Sequence, residues 1–100
     1  MSPNEVSEFV DRLKFIGLLE EIDNHVRRKY GVHVRELILR DQHKHVADAR
    51  SWAMYLVRTR LGWSYPAIGH LFKRDQSTIQ HACRKAEKMS KEENEKLNAV

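Results

Sequence analysis

The sequence predicts an all-α fold, a compact helical bundle with an extra helix at its N-terminus, and three observations carry that reading. Only four glycines and two prolines interrupt the 100 residues. No stretch alternates apolar and polar residues as a half-buried strand would. Apolar side chains recur instead at spacings of three and four, the period of a helix with one face on a core.

The elements follow in order. Ser2-Pro3-Asn4-Glu5 is a helix start: a hydroxyl to cap free amides, a proline in the first turn where its missing N–H costs nothing, and a glutamate reaching back. Val6, Phe9, Val10, Leu13 and Ile16 then form one apolar stripe, which Gly17 ends or kinks. A second stripe, Leu18/Leu19, Ile22, Val26 and Tyr30, runs to Gly31, placed as a C-terminal cap. Val34–Leu39 reads as a short helix and Arg40–His45 as a polar loop. The next helix is expected from about Val46 to Leu61, stopping at Gly62. Its wide apolar arc (Val46, Ala49, Trp52, Ala53, Leu56, Val57) marks the most buried element. Ser64 caps a shorter helix with Pro66 in its first turn and Ile68, Leu71 and Phe72 facing inward. A tight Lys73-Arg74-Asp75 connection leads to a helix from about Gln76 to Met89, which polar Ser90–Val100 either extends or leaves to fray.

A chain of this length holds one domain with an economical core. With 41% hydrophobic and 32% charged residues it has the composition of a globular chain, not of a disordered one. No apolar run approaches the roughly 20 residues that span a bilayer, and no signal-peptide pattern opens the chain. The single cysteine, Cys83, has no internal disulfide partner, which fits a reducing compartment. The expected location is the cytoplasm.

Charge is unevenly spread. Residues 1–45 carry eight basic and eight acidic side chains, residues 46–89 carry eight against three, and residues 90–100 carry two against three. The net +4 is thus a local excess of +5 on the middle segment, as suits a chain that meets a polyanion. Charge alone fits an ordinary solvated surface equally well.

Arrangement adds to it. Two helices joined by about three residues have the connection of a helix-turn-helix, whose second helix enters the major groove. In that second helix Ile79, Ala82, Cys83, Ala86 and Met89 can face a core. Gln76, Ser77, Gln80, His81, Arg84, Lys85 and Lys88 lie mostly opposite. Hydrogen-bonding residues come first and cations follow, the order needed when a first turn meets base edges and its flanks meet phosphates.

These residues also resemble a family. Ala53-Met54-Tyr55-Leu56, Ser64-Tyr65-Pro66-Ala67-Ile68-Gly69 and Asp75-Gln76-Ser77-Thr78-Ile79-Gln80-His81-Ala82-Cys83-Arg84-Lys85 are similar to the C-terminal DNA-binding domain of the bacterial replication initiator DnaA, with weaker similarity back to about Ile22. The resemblance implies a Trp-repressor-like helical bundle that reads a short DNA box. Major-groove contacts come from the recognition helix, and a minor-groove contact comes from a basic loop. The organisation it suggests is an N-terminal helix over residues 1–19, the helix-turn-helix domain over 20–89 and a polar extension over 90–100.

Carried onto this chain, the resemblance places Asp75, Gln76, Ser77 and Thr78 at the bases, joined by Gln80 and His81 on the same side of the helix. Asp75 can accept from a cytosine amine or cap the helix. Gln76 replaces the family's usual histidine and can pair with adenine. Arg58, Pro66, Lys73, Arg74, Arg84 and Lys85 are implied on the DNA backbone. The loop departs from the pattern: Asp48 stands near the position of the family's groove-inserting arginine, where a carboxylate would be repelled. Lys44 or Arg50 takes that contact, or it is missing. The turn Phe72–Asp75 also reads one residue shorter than the family's Gly-Gly version. No P-loop is present, so these residues by themselves cannot hydrolyse ATP.

Other features are blander. His43-x-His45 lacks further ligands for a metal and reads as a solvated loop. Cys83 reads as a small buried hydrophobe. Trp52 suits the core and Trp63 a partly exposed position. The Val6–Ile16 stripe packs on the bundle, pairs with a second subunit or docks a protein partner. No catalytic constellation is visible and no metal or cofactor is expected. The functional expectation is sequence-selective binding of double-stranded DNA, in replication, in transcription or for a mobile element. The alternative is a protein-interaction module that kept the fold and lost DNA binding.

Overall fold

Ser2 starts the first helix, α1 (Pro3–Phe15): its hydroxyl accepts the Glu5 N–H at 3.4 Å, with Pro3 in the first turn. The computed structural model describes residues 2–98 of the chain, and side chains as far as Glu93. Helix α2 (Leu19–Tyr30) ends at Gly31, which adopts a left-handed φ of 65° that a side chain would strain. There the Gly31 and Val32 amides donate back to the Arg27 and Val26 carbonyls, both at 3.1 Å.

Val34–Leu37 forms a single 3-10 turn, shorter than the expected helix. His33 Nδ1 accepts the Arg35 N–H at 3.2 Å, and the Glu36 carboxylate accepts the His33 N–H at 2.6 Å. Helix α3 (Lys44–Leu61) begins two residues before the expected start, so Lys44 and His45 belong to its first turn and not to the loop. Helix α4 (Tyr65–Phe72) is capped by Ser64, whose hydroxyl accepts the Ala67 N–H at 3.3 Å. Helix α5 (Gln76–Asn98) passes Met89 without a break. No glycine or proline stands in its way, Lys91 pairs with Glu87 at 3.4 Å, and Lys29 on α2 pairs with Glu93. Of the polar extension, residues 99 and 100 lie outside the described residues. No strand occurs among the described residues, so the all-α expectation holds.

The core is arranged around α3, which buries Val46, Ala49, Ala53, Met54, Leu56 and Val57 and packs mainly against α5. From the N-terminal side α1 contributes Phe9 and Leu13, both essentially without solvent exposure. Phe9 meets Phe72 of α4 edge to face, ring centroids 5.2 Å apart at 60°, a favoured aromatic geometry. The apolar stripe of α1 is therefore continuous with the core beneath α4. On α3, Trp52 is half-buried and stacks on His25 of α2 with 3.6 Å between centroids. Burial there pushes the His25 imidazole below its usual pKa, and the Lys29 charge acts in the same direction.

Arg50 is turned inward. Its guanidinium donates to the carbonyls of Leu37 (2.8 Å), Leu39 (2.9 Å) and Asp41 (3.0 Å), fastening the segment before α3 to the side of that helix. Replacing Arg50 by Met keeps the apolar stem but takes the donor from the Leu37 and Asp41 carbonyls, while Leu39 O keeps a second donor in Arg74. Each of the two acceptors so stranded is costly to leave unsatisfied, so chemical denaturation should show a loss of about 2 kcal/mol. An unchanged midpoint would mean that water substitutes for the guanidinium.

Candidate nucleic-acid interface

The junction of α4 and α5 is built on a close backbone approach. The Arg74 N–H donates to the Gly69 carbonyl at 2.9 Å, and a Cβ placed on Gly69 would stand 2.6 Å from the Arg74 carbonyl oxygen. Only hydrogen fits there. Lys73 completes the turn in the left-handed region at φ 55°, an uncommon conformation for a residue with a side chain. Arg74 donates to the carbonyls of Phe72 (2.7 Å) and Leu39 (2.8 Å). Leu39 O thus receives two guanidiniums, from Arg50 and Arg74, and the loop before α3 is tied to the turn. Burial, with the nearby Arg50 and Arg40 charges, brings the Arg74 guanidinium down to about 10. Arg74 is still charged at neutral pH, but much of it is engaged in holding the turn.

Asp75 precedes the first residue of α5 and caps it. Its Oδ2 accepts the Ser77 N–H at 3.2 Å and is also bonded by the Ser77 hydroxyl. These bonds, the hydroxyl's first, hold the carboxyl below the usual range. Helix α5 then presents Gln76, Ser77, Thr78 and His81 exposed, with Gln80 half-buried, while Ile79, Cys83 and Ala86 lie on the core. Burial raises the Cys83 thiol, which removes it as a nucleophile. Between the start of α4 and the start of α5 lies an open cleft of about 490 Å³, lined by Pro66, Lys73, Arg74, Asp75 and Gln76. Gly69 and His70 line it as well. Neither was expected from its side chain, although a glycine inside the α4 pattern is itself a sign of close approach.

The basic residues divide. Lys73 and Arg84 are exposed, and Pro66 is exposed at the cleft. Arg58 donates to the Trp63 carbonyl at 2.7 Å and lies over the Tyr65 ring at 4.2 Å, so it braces the entry to α4. Arg50 is buried, with its guanidinium committed to backbone carbonyls. Asp48 belongs to α3 and does not face outward, because its side of the helix is covered by α5. It lies at the α3–α5 seam and is 9% exposed. Lys85 Nζ stands 2.6 Å from its Oδ1, and Lys44 Nζ 3.4 Å from its Oδ2. Burial pushes this carboxyl up, but the two lysines outweigh it and hold it below its ordinary value. Two expected phosphate contacts, Lys44 and Lys85, are thus attached to one carboxylate.

His43 is bonded to Asp41 and sits 6.0 Å from the His45 ring, exposed to solvent. Among the described residues no group of three or more His, Cys, Asp or Glu is placed to hold a metal ion. No helix among them is long and apolar enough to cross a membrane.

Two helices locked across a glycine-floored turn, the second with an exposed polar first turn and cations along its length, define a helix-turn-helix protein of the DNA-binding class. Residues 19–86 match the family model described as the bacterial dnaA protein helix-turn-helix, and the chain belongs to that family. It is similar to the chromosomal replication initiator protein DnaA of Pseudothermotoga lettingae, at 31% identity over 71 residues. It is also similar to the protein of the same name from Rhizobium johnstonii, at 38% over 72 residues. Each alignment takes in 71% of this chain but only 16% and 15% of the respective relative, so the chain spans less than a fifth of their length. No solved structure matches it significantly.

Proposed function

We propose that this chain binds double-stranded DNA with sequence selectivity. In this reading the first turn of α5 lies in the major groove, and the protein acts in the cytoplasm as a DnaA-like replication accessory or transcriptional regulator. The observation that carries it is the exposed run Gln76, Ser77, Thr78 and His81 on a helix whose opposite face is core. Asp75, with one oxygen engaged in the cap, offers the other to a base, and Gln80 borders the same edge. Lys73, Arg84 and the α4 start at Pro66 meet the flanking phosphates. Arg58 and Arg74 orient the elements that carry them. Helix α1 offers a separate surface to a second copy or a protein partner.

Selection from a random duplex library, followed by fluorescence anisotropy at two salt concentrations, tests this. Affinity for the selected sites should fall steeply with salt as phosphates release counterions. Gln76→Ala should change the selected sequence at one base pair, worth about 1–3 kcal/mol of discrimination. Arg84→Ala should instead weaken every site alike and lower the salt slope by about 1. Salt-independent binding, or the reverse pattern of effects, overturns the assignment. The interaction-module reading draws support from the same geometry, since Arg50 faces inward and Lys85 is paired; absence of any duplex binding would favour it.

A further inference from the structure

Helix α1 buries Phe9 and Leu13 but leaves Phe15, at its last residue, 91% exposed. Among the described residues the other exposed large hydrophobics, Leu39 and Leu61, reach only 37% and 40%. Phe15 stands on the lip of an open groove of about 680 Å³ between α1 and α4, with Trp63, Ala67 and Leu71 among its apolar lining and Ser7 and Asp11 on its α1 side. A ring in water beside an apolar hollow on the same face is the arrangement of a contact surface.

We propose that the occupant of this groove is a second copy of the chain, packed with its α1 antiparallel to the first and its Phe15 in the first copy's groove. Two features select a second copy. Knob and hollow lie on one surface, so a two-fold axis fills both hollows at once, as an isologous interface requires. The charges of α1 are also self-complementary: Glu5, Glu8 and Asp11 come first, Arg12 and Lys14 last. Antiparallel apposition sets each acidic stretch on the partner's basic end and opposes the two helix dipoles. A two-fold axis beside Asp11 and Arg12 sets Asp11 of each copy against Arg12 of the other. Arg12 already bonds Glu8 of its own chain at 3.0 Å, so it would lie between two carboxylates. This assignment stands on α1 and the groove and is independent of the DNA-binding reading.

Sedimentation equilibrium of the full chain without DNA, up to about 1 mM protein, tests it. A concentration-dependent dimer is expected, weakened at least about tenfold by Phe15→Glu, which would place a carboxylate in the groove. Phe15 lies outside the core, so at concentrations too low for the dimer the thermal melt of that variant should match the wild type and exclude misfolding as the cause. Asp11→Arg should weaken the dimer by setting like charges together, and Asp11→Arg with Arg12→Asp should recover it. A wild type that stays monomeric overturns the proposal, as does a dimer indifferent to Phe15→Glu. A double variant no tighter than Asp11→Arg alone overturns it too.

Discussion

Gly69→Ala should unfold or loosen the helix-turn-helix more than any surface substitution in this chain. In an exposed helix the same change is stabilising by roughly 1 kcal/mol, because alanine has less backbone freedom to lose. Here the added methyl would stand 2.6 Å from the Arg74 carbonyl oxygen, and the obstacle is backbone, not a side chain able to swing aside. Relief requires the turn to move. That movement would break the Arg74 N–H bond to Gly69 O and pull the Arg74 guanidinium from Leu39 O. The cost should be on the order of 3 kcal/mol, above the usual overpacking penalty at a yielding site. A domain of this size has only about 5–15 kcal/mol in total, so the loss is visible as a large drop in the denaturation midpoint. DNA binding should fall with it, because α5 would no longer be held at its angle to α4. A variant as stable as the wild type would show that the turn is not locked.

What could be read from the sequence was what depends on neighbours along the chain. Ser2 and Ser64 cap helices because their hydroxyls reach amides three residues ahead, and Gly31 ends α2 through its own φ. Core positions such as Ile22, Val57 and Ile79 were legible from period alone. The polar first turn of α5 was legible for the same reason, since Ile79 and Cys83 fix which side of the helix faces in. Arg50 and Asp48 were not, because their partners are set by packing. Arg50 reaches carbonyls 9 to 13 residues away, and Asp48 meets Lys85 across the α3–α5 seam. A count of charges treats every arginine and lysine in residues 46–89 as free for phosphate, whereas Arg50, Arg74 and Lys85 have partners within the fold. The side of α3 on which Asp48 falls mattered most. One turn beyond Lys44, it shares that lysine's side of the helix and meets Lys85 of α5 across the seam, a contact that spacing along the chain does not reveal.

Asp48→Asn should tighten DNA binding by roughly tenfold at low salt, a gain of about 1.4 kcal/mol. At neutral pH the carboxyl is ionised, held below its ordinary value against its burial by Lys85 and Lys44. While it is ionised, two cations near the recognition helix spend part of their charge on it and present less to a phosphate. The amide keeps the shape of the side chain and removes the charge. Lys85 is already 47% exposed and Lys44 86%, so neither is left as a buried, unpaired cation. The stability cost should therefore stay near 1 kcal/mol, well under that of breaking a fully buried pair. The more telling readout is ionic strength, because each added phosphate contact steepens the plot of log affinity against log salt by about 0.9. If both lysines are released, the slope should grow by nearly 2; if only Lys85 is, by about half that. Asp48→Arg would bring a third cation to the seam between Lys44 and Lys85, so its cost in folding would obscure its effect on binding. A weaker complex for Asp48→Asn at unchanged stability would reverse the assignment and make Asp48 the residue that aims the lysines at DNA. An unchanged slope would mean that neither lysine reaches a phosphate.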